Sequence, residues 1–140
     1  MQNMSSGKSA LGLEPNVVAG LCYAGNVICG VGGLILSIIT VVTDKTNKLA
    51  RFHAFQSIFL SVVGAILGTV CWVAIIVGAI IDTALSNSVG FPIFTSLLGL
   101  VFSVLGLAIL IGVIMAAIKA FSGNIFKLPI IGNFADKYSG

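Results

Sequence analysis

Apolar residues fill three continuous runs, 17–42, 52–81 and 89–118, separated by short polar segments. Each run exceeds the roughly 20 residues that a helix needs to cross a hydrocarbon layer about 30 Å thick. At 1.5 Å per residue they predict helices of ~39, ~45 and ~45 Å, long enough to tilt or to project into the headgroups. They lack period-two alternation and are too long for barrel strands. The pattern predicts an all-α integral membrane protein: three transmembrane helices within residues 17–118, an extracytoplasmic amino-terminal tail at 1–16 and a cytoplasmic interfacial segment at 119–140.

The polar segments punctuate this reading. Glu14-Pro15-Asn16 marks the first helix start, because proline lacks only an N–H that would find no intrahelical partner there. Thr43-Asp44-Lys45-Thr46-Asn47 ends that helix, and Asp44 or Asn47 is placed to cap the next. Polar residues 82–88 predict the second loop, and Pro92 falls near the first turn of the third helix. The first 16 residues are polar and the first run is over twice a signal core in length, so it is read as a retained helix. After Lys119 the chain stays apolar, but Gly123, Pro129 and Gly132 break it and it is too short to span. Its aromatics and lysines predict a segment lying along the interface.

Composition sharpens the class. Of 140 residues 58% are hydrophobic and only 8% charged, against roughly 25% charged in soluble domains, so lipid must solvate much of the surface. Seven basic and four acidic residues give a net charge of +3, too sparse for nucleic-acid binding. Lys45, Lys48 and Arg51 lie in the first loop, Lys119, Lys127 and Lys137 after the third run, and Lys8 alone in the amino-terminal tail. The positive-inside tendency then predicts an amino terminus outside and a carboxyl terminus in the cytoplasm. Cys22, Cys29 and Cys71 lie in apolar stretches and read as packing residues, not as a disulfide framework or metal ligands.

Candidate functional residues are few. Small residues that let helices approach recur as Gly64 and Gly68 in the second run, Gly25, Cys29, Gly33 and Ser37 in the first, and Gly112, Ala116 and Ala120 in the third. Asn26, near the middle of the first run, must face protein, either for an interhelical hydrogen bond or as part of a polar path. The most specific chemistry stands at the start of the second run, where His53, Ser57 and Ser61 recur every four residues beside Arg51 and Gln56. This polar stripe reads as an interfacial anchor bonded to the carboxyl-terminal tail around residues 124–133, or as a binding surface for a partner segment or headgroup. Phe52, Phe55 and Phe59 form an aromatic stripe. No Asp, Glu, Lys or Arg lies between Ala54 and Ile81, which leaves a charged midplane site unsupported. No catalytic, cofactor-binding or metal-binding residues are assigned.

Lys48-Leu49-Ala50-Arg51-Phe52-His53-Ala54-Phe55-Gln56-Ser57, Phe126-Lys127-Leu128-Pro129-Ile130-Ile131-Gly132 and Leu21-Cys22-Tyr23 together resemble a family of small prokaryotic integral membrane proteins of unassigned function. That family is distantly similar to the Tic-twenty component of the chloroplast inner-envelope import machinery. The resemblance implies a multi-pass protein of the prokaryotic plasma membrane and carries over no catalytic residue.

The function expected is that of a non-enzymatic membrane subunit. Its partners are the lipid bilayer and other membrane proteins or copies of itself, and it serves as an accessory or assembly component, in a translocase-like version of the role at its most specific. The alternative is an oligomeric channel or carrier for a neutral or weakly charged solute, with Asn26 lining its axis.

Overall fold

The first apolar run does not form one helix. In the computed structural model, which describes residues 7–89 and 92–140 and the side chains of all of these except 86–89, the run divides into α1 (Pro15–Cys29) and α2 (Val31–Thr43). The break is Gly30, whose φ of 56° and ψ of −83° suit glycine and strain any side chain. Its N–H closes α1 on the Asn26 carbonyl at 3.1 Å. The chain then folds back so that Gly25 meets Gly33. A Cβ on Gly25 would stand 2.8 Å from the Gly33 Cα, and one on Gly33 would collide with the backbone of Asn26 and Cys22. Small residues expected along one face of a single helix are instead divided between the two sides of a hairpin. This corrects the expected straight span at 17–42: α1 and α2 measure ~22 and ~20 Å, short of the ~30 Å layer.

Two helices among the described residues are long and apolar enough to cross a membrane, over Lys48–Leu85 and Ile93–Phe121, where three were expected. The first belongs to α3 (Lys48–Val89) and the second is α4 (Ile93–Phe121); α5 (Ile131–Tyr138) follows in the tail. Residues 82–88, expected as a loop, remain helical. Of the predicted third span, 89–118, residues 90 and 91 lie outside the described residues, as do residues 1–6 of the amino-terminal tail.

The contacts divide the chain into two units, 1–62 with 112–140 and 63–111. The first has a small-residue core, Ala19, Tyr23, Val113, Ala116, Ala120 and Leu128, edged by Leu60, Ala117, Phe126 and Ile131. Asn47 caps α3 by accepting the Ala50 N–H (3.4 Å), and Asp44 steadies that cap by accepting the Asn47 N–H (3.2 Å). The end of α4 is a Schellman turn at Gly123, whose φ is 72°: the Gly123 N–H reaches the Ala120 carbonyl and the Asn124 N–H the Lys119 carbonyl, both at 2.9 Å. The amino-terminal segment joins this unit. Asn16 donates to the Phe121 carbonyl (3.0 Å) and the Ala10 N–H donates to the Asp44 carboxylate (3.4 Å). Both ends of the hairpin are thus bonded within the same unit.

The second unit pairs the later part of α3 with the earlier part of α4. Asp82 ties them. Its carboxylate accepts the N–H groups of Phe94 (2.9 Å) and Thr95 (2.8 Å), which are free donors in the first turn of α4. Close to it, Gly78 lets Leu98 and Thr95 approach. Elsewhere the unit presents apolar side chains outward, with Trp72 70% and Val104 64% exposed.

Candidate functional site

Of the five residues in the polar stripe of α3, Ser61 donates back to the Ser57 carbonyl (2.9 Å), and the structure commits each of the other four to another part of the first unit. His53 is fully buried. Its Nε2 lies 3.1 Å from the Asn124 carbonyl, which can only accept, so Nε2 bears the proton. Nδ1 is then an acceptor, and the Tyr23 hydroxyl donates to it at 3.0 Å. One neutral tautomer satisfies both bonds and links α1, α3 and the tail.

One turn on, Gln56 clasps the tail backbone. Its Nε2 donates to the Phe126 carbonyl (3.1 Å) and its Oε1 accepts the Leu128 N–H (3.4 Å). The side-chain amide thereby pairs backbone groups of the irregular segment 124–128, which has no helical partners of its own. Ser57 faces the hairpin: its hydroxyl donates to the Cys22 carbonyl (3.1 Å) and accepts from Asn26 Nδ2 (2.7 Å). The remaining Asn26 Oδ1 is buried and unpaired beside Gly33. Asn26 thus faces protein, inside its own chain.

Arg51 ties the end of α2 to the carboxyl-terminal tail. Its guanidinium donates to the Val41 and Asp44 carbonyls at the end of α2 (both 3.2 Å) and to the Ser139 carbonyl (3.3 Å). A cation at a helix C-terminus also meets the negative end of the helix dipole. Its charge lies 5.7 Å from the Phe55 ring centre. Phe55 and Phe59 in turn pack against Tyr138 and Phe134 of α5, while Phe52 is buried edge-on to His53. The phenylalanine stripe therefore divides between core and tail.

The Lys127 to Gly132 segment has a local reason for each residue. Lys127 forms a 2.8 Å ion pair with Asp136, and this hydrogen bond holds the Asp136 carboxyl below its ordinary pKa. Leu128 enters the core. Pro129 accepts the Ile131 N–H at 2.7 Å across Ile130, the single non-glycine residue with positive φ (65°) among the described residues. This is a γ-turn of the strained kind. Gly132 then packs so closely that a Cβ would stand 2.7 Å from the Lys127 Cα.

Gly64 and Gly68 are not brought into the cluster or any helix contact: a Cβ at either position would meet nothing within 4 Å. Residue patterns also missed Tyr23, Gly30 and Asp82. A signal existed for Tyr23, since a phenol three residues before Asn26 shares its helix face.

The sequence matches the magnetosome magnetite crystal formation protein family, MamF/MmsF, over residues 14–135. It is also similar to two UPF0132 membrane proteins of Methanocaldococcus jannaschii. One is 37% identical over 133 residues, covering 95% of this chain and 96% of the relative. The other is 34% identical over 130 residues, covering 92% and 73%. No solved structure matches the chain.

Proposed function

The chain belongs to the magnetosome magnetite crystal formation protein family, a membrane protein family, and from that premise we propose that it is a non-enzymatic small subunit of the prokaryotic plasma membrane that packs against other membrane proteins. The magnetite in the family name belongs to its namesakes; the present reading is drawn from this chain's own faces. The observation that carries it is the open face at Gly64 and Gly68, four residues apart on α3 with nothing opposite either one, among exposed Val63, Ile66 and Val70. Without a hydrophobic drive between helices in lipid, close approach across small residues is a main source of association. The polar cluster supports the non-enzymatic part, since His53, Gln56 and Arg51 each bond to this chain's own backbone.

Asn26, which the channel alternative would set on an axis, is bonded to Ser57 within the protomer, and this favours the subunit reading. The translocase-like version of the subunit role rests on the resemblance to the chloroplast import component alone. Extraction into native lipid discs followed by mass measurement tests the proposal. A particle containing further protein chains is expected, reduced to one chain by Gly64→Ile with Gly68→Ile. A lone wild-type protomer overturns it.

A further inference from the structure

The hairpin decides how the chain is threaded through the bilayer. α1 and α2 are each too short to cross, and they lie against one another through Gly25 and Gly33. Both outer ends of the hairpin are tied to the same part of the first unit. Asn16, at the start of α1, bonds to Phe121 at the end of α4. Asp44, just after α2, accepts from Ala10 and offers its own carbonyl to Arg51. The turn between them bears no polar side chain, and the outward face of α2 is apolar, with Val31 65%, Ile35 53% and Val42 63% exposed. In water that face would stand bare; acyl chains would solvate it.

Charge supplies a second, independent observation. Lys8 precedes the hairpin, Lys45, Lys48 and Arg51 follow it, and Lys119, Lys127 and Lys137 flank the tail. All seven basic residues belong to the first unit and none to 63–111. With the hairpin formed, Lys8 is no longer the exception to the charge bias that a straight first span would make it.

We propose that the α1–α2 hairpin is a re-entrant element whose outer face contacts lipid and which enters and leaves the bilayer on one side, the cytoplasmic side, together with all seven basic residues. Those bases then face the acidic headgroups of that leaflet. The arrangement leaves the first-turn N–H groups of α2 without intrahelical partners, and the single-residue break at Gly30 confines that cost to one turn. This threading does not depend on the chain having protein partners, so it stands or falls separately from the subunit role.

The test uses the full chain with Cys22, Cys29 and Cys71 replaced by alanine, carrying one new cysteine at a time: Lys8→Cys, Thr46→Cys or Lys137→Cys, all exposed positions. A charged, impermeant maleimide should fail to label any of the three in intact cells and should label all three in inverted membrane vesicles. Labelling of Lys8→Cys in intact cells, with Lys137→Cys protected, overturns the proposal by showing that the first run crosses. Labelling of all three from outside overturns the cytoplasmic assignment. Because the alanine background could itself disturb folding, short epitopes at either end of the otherwise native sequence provide a second reading. Protease added to intact cells should spare both, and loss of the amino-terminal epitope alone overturns the proposal.

Discussion

The two units use similar apolar helices in different ways. In the first, polar side chains hold the structure: His53, Gln56, Ser57 and Arg51 reach α1, the end of α2 and the tail, around a core of three alanines with Tyr23, Val113 and Leu128. In the second, one carboxylate, Asp82, caps the facing helix, and the glycines of α3 at 64 and 68 stand open. Lipid gives apolar side chains no reason to prefer protein, so a membrane unit acquires specificity from hydrogen bonds and close backbone approach. The first unit turns both inward. The second leaves its small-residue face unused within the chain, which is why the two should answer differently to the same substitution.

The sharpest comparison places a large side chain on a glycine in each unit. Gly33→Leu puts its Cβ into the backbone of Asn26, a neighbour that cannot rotate away. It should open the hairpin and cost about 3 kcal/mol or more, at the upper end of overpacking effects. Gly64→Leu meets open space and should change the stability of the isolated chain by less than about 0.5 kcal/mol, as surface changes do. Thermal unfolding of the detergent-solubilised proteins measures both. Equal losses would mean that the α3 glycines pack internally and that the contrast between units is wrong.

Next in size is His53→Ala, which removes a buried ring, strands the Tyr23 hydroxyl and frees the Asn124 carbonyl. A destabilisation of about 2 kcal/mol is expected from the lost bonds and the space left behind. Limited proteolysis should cut after Lys127 sooner than in the wild type. If cleavage is unchanged while stability falls, the Gln56 clasp and the other tail contacts hold the tail without His53. Asp82→Ala is the matching test in the second unit. It removes the acceptor for two first-turn N–H groups and should cost about 1 kcal/mol, the usual worth of a cap, with faster amide exchange at Phe94 and Thr95. Tail cleavage after Lys127 should not change, since Asp82 contributes nothing to the clasp.

What the sequence made legible follows from how each feature is encoded. The long apolar lengths of α3 and α4 could be read directly, because a helix in lipid needs only length and apolarity. The polar stripe at His53 and Ser57 was legible because period four puts those residues on one helix face. Gly30 was not: it is one of several glycines in its run, and what marks it out is a positive φ and the fit of Gly25 on Gly33 across the turn, a tertiary property. The loop expected at 82–88 fails for a related reason. Asp82 is polar as a loop residue would be, yet it serves from within a helix by capping another. Tyr23 was hidden because a phenol in an apolar run also suits an interface, and only the placement of His53 opposite it decides the matter.

The smallest effect concerns the outer edge of the clasp. Lys127 and Asp136 are both substantially exposed, at 48% and 40%, so solvent and salt screen their attraction and little stability is expected from it. Its pH dependence still has a definite sign. The hydrogen bond from Lys127 lowers the Asp136 pKa in the folded tail. The pair's contribution is therefore complete above the ordinary carboxylate pKa of about 3.9 and is lost as pH falls through the lower, folded value. A nitroxide attached at Asn133→Cys, with the three native cysteines replaced by alanine, should report α5 becoming more mobile over that acid range. Asp136→Asn should show the raised mobility at neutral pH and no further change on acidification through it. Parallel curves for the two proteins would mean that the ion pair plays no part in holding α5, and that its attachment rests on the other contacts, among them the Arg51 bond to Ser139 and the Phe55, Phe59, Phe134 and Tyr138 rings.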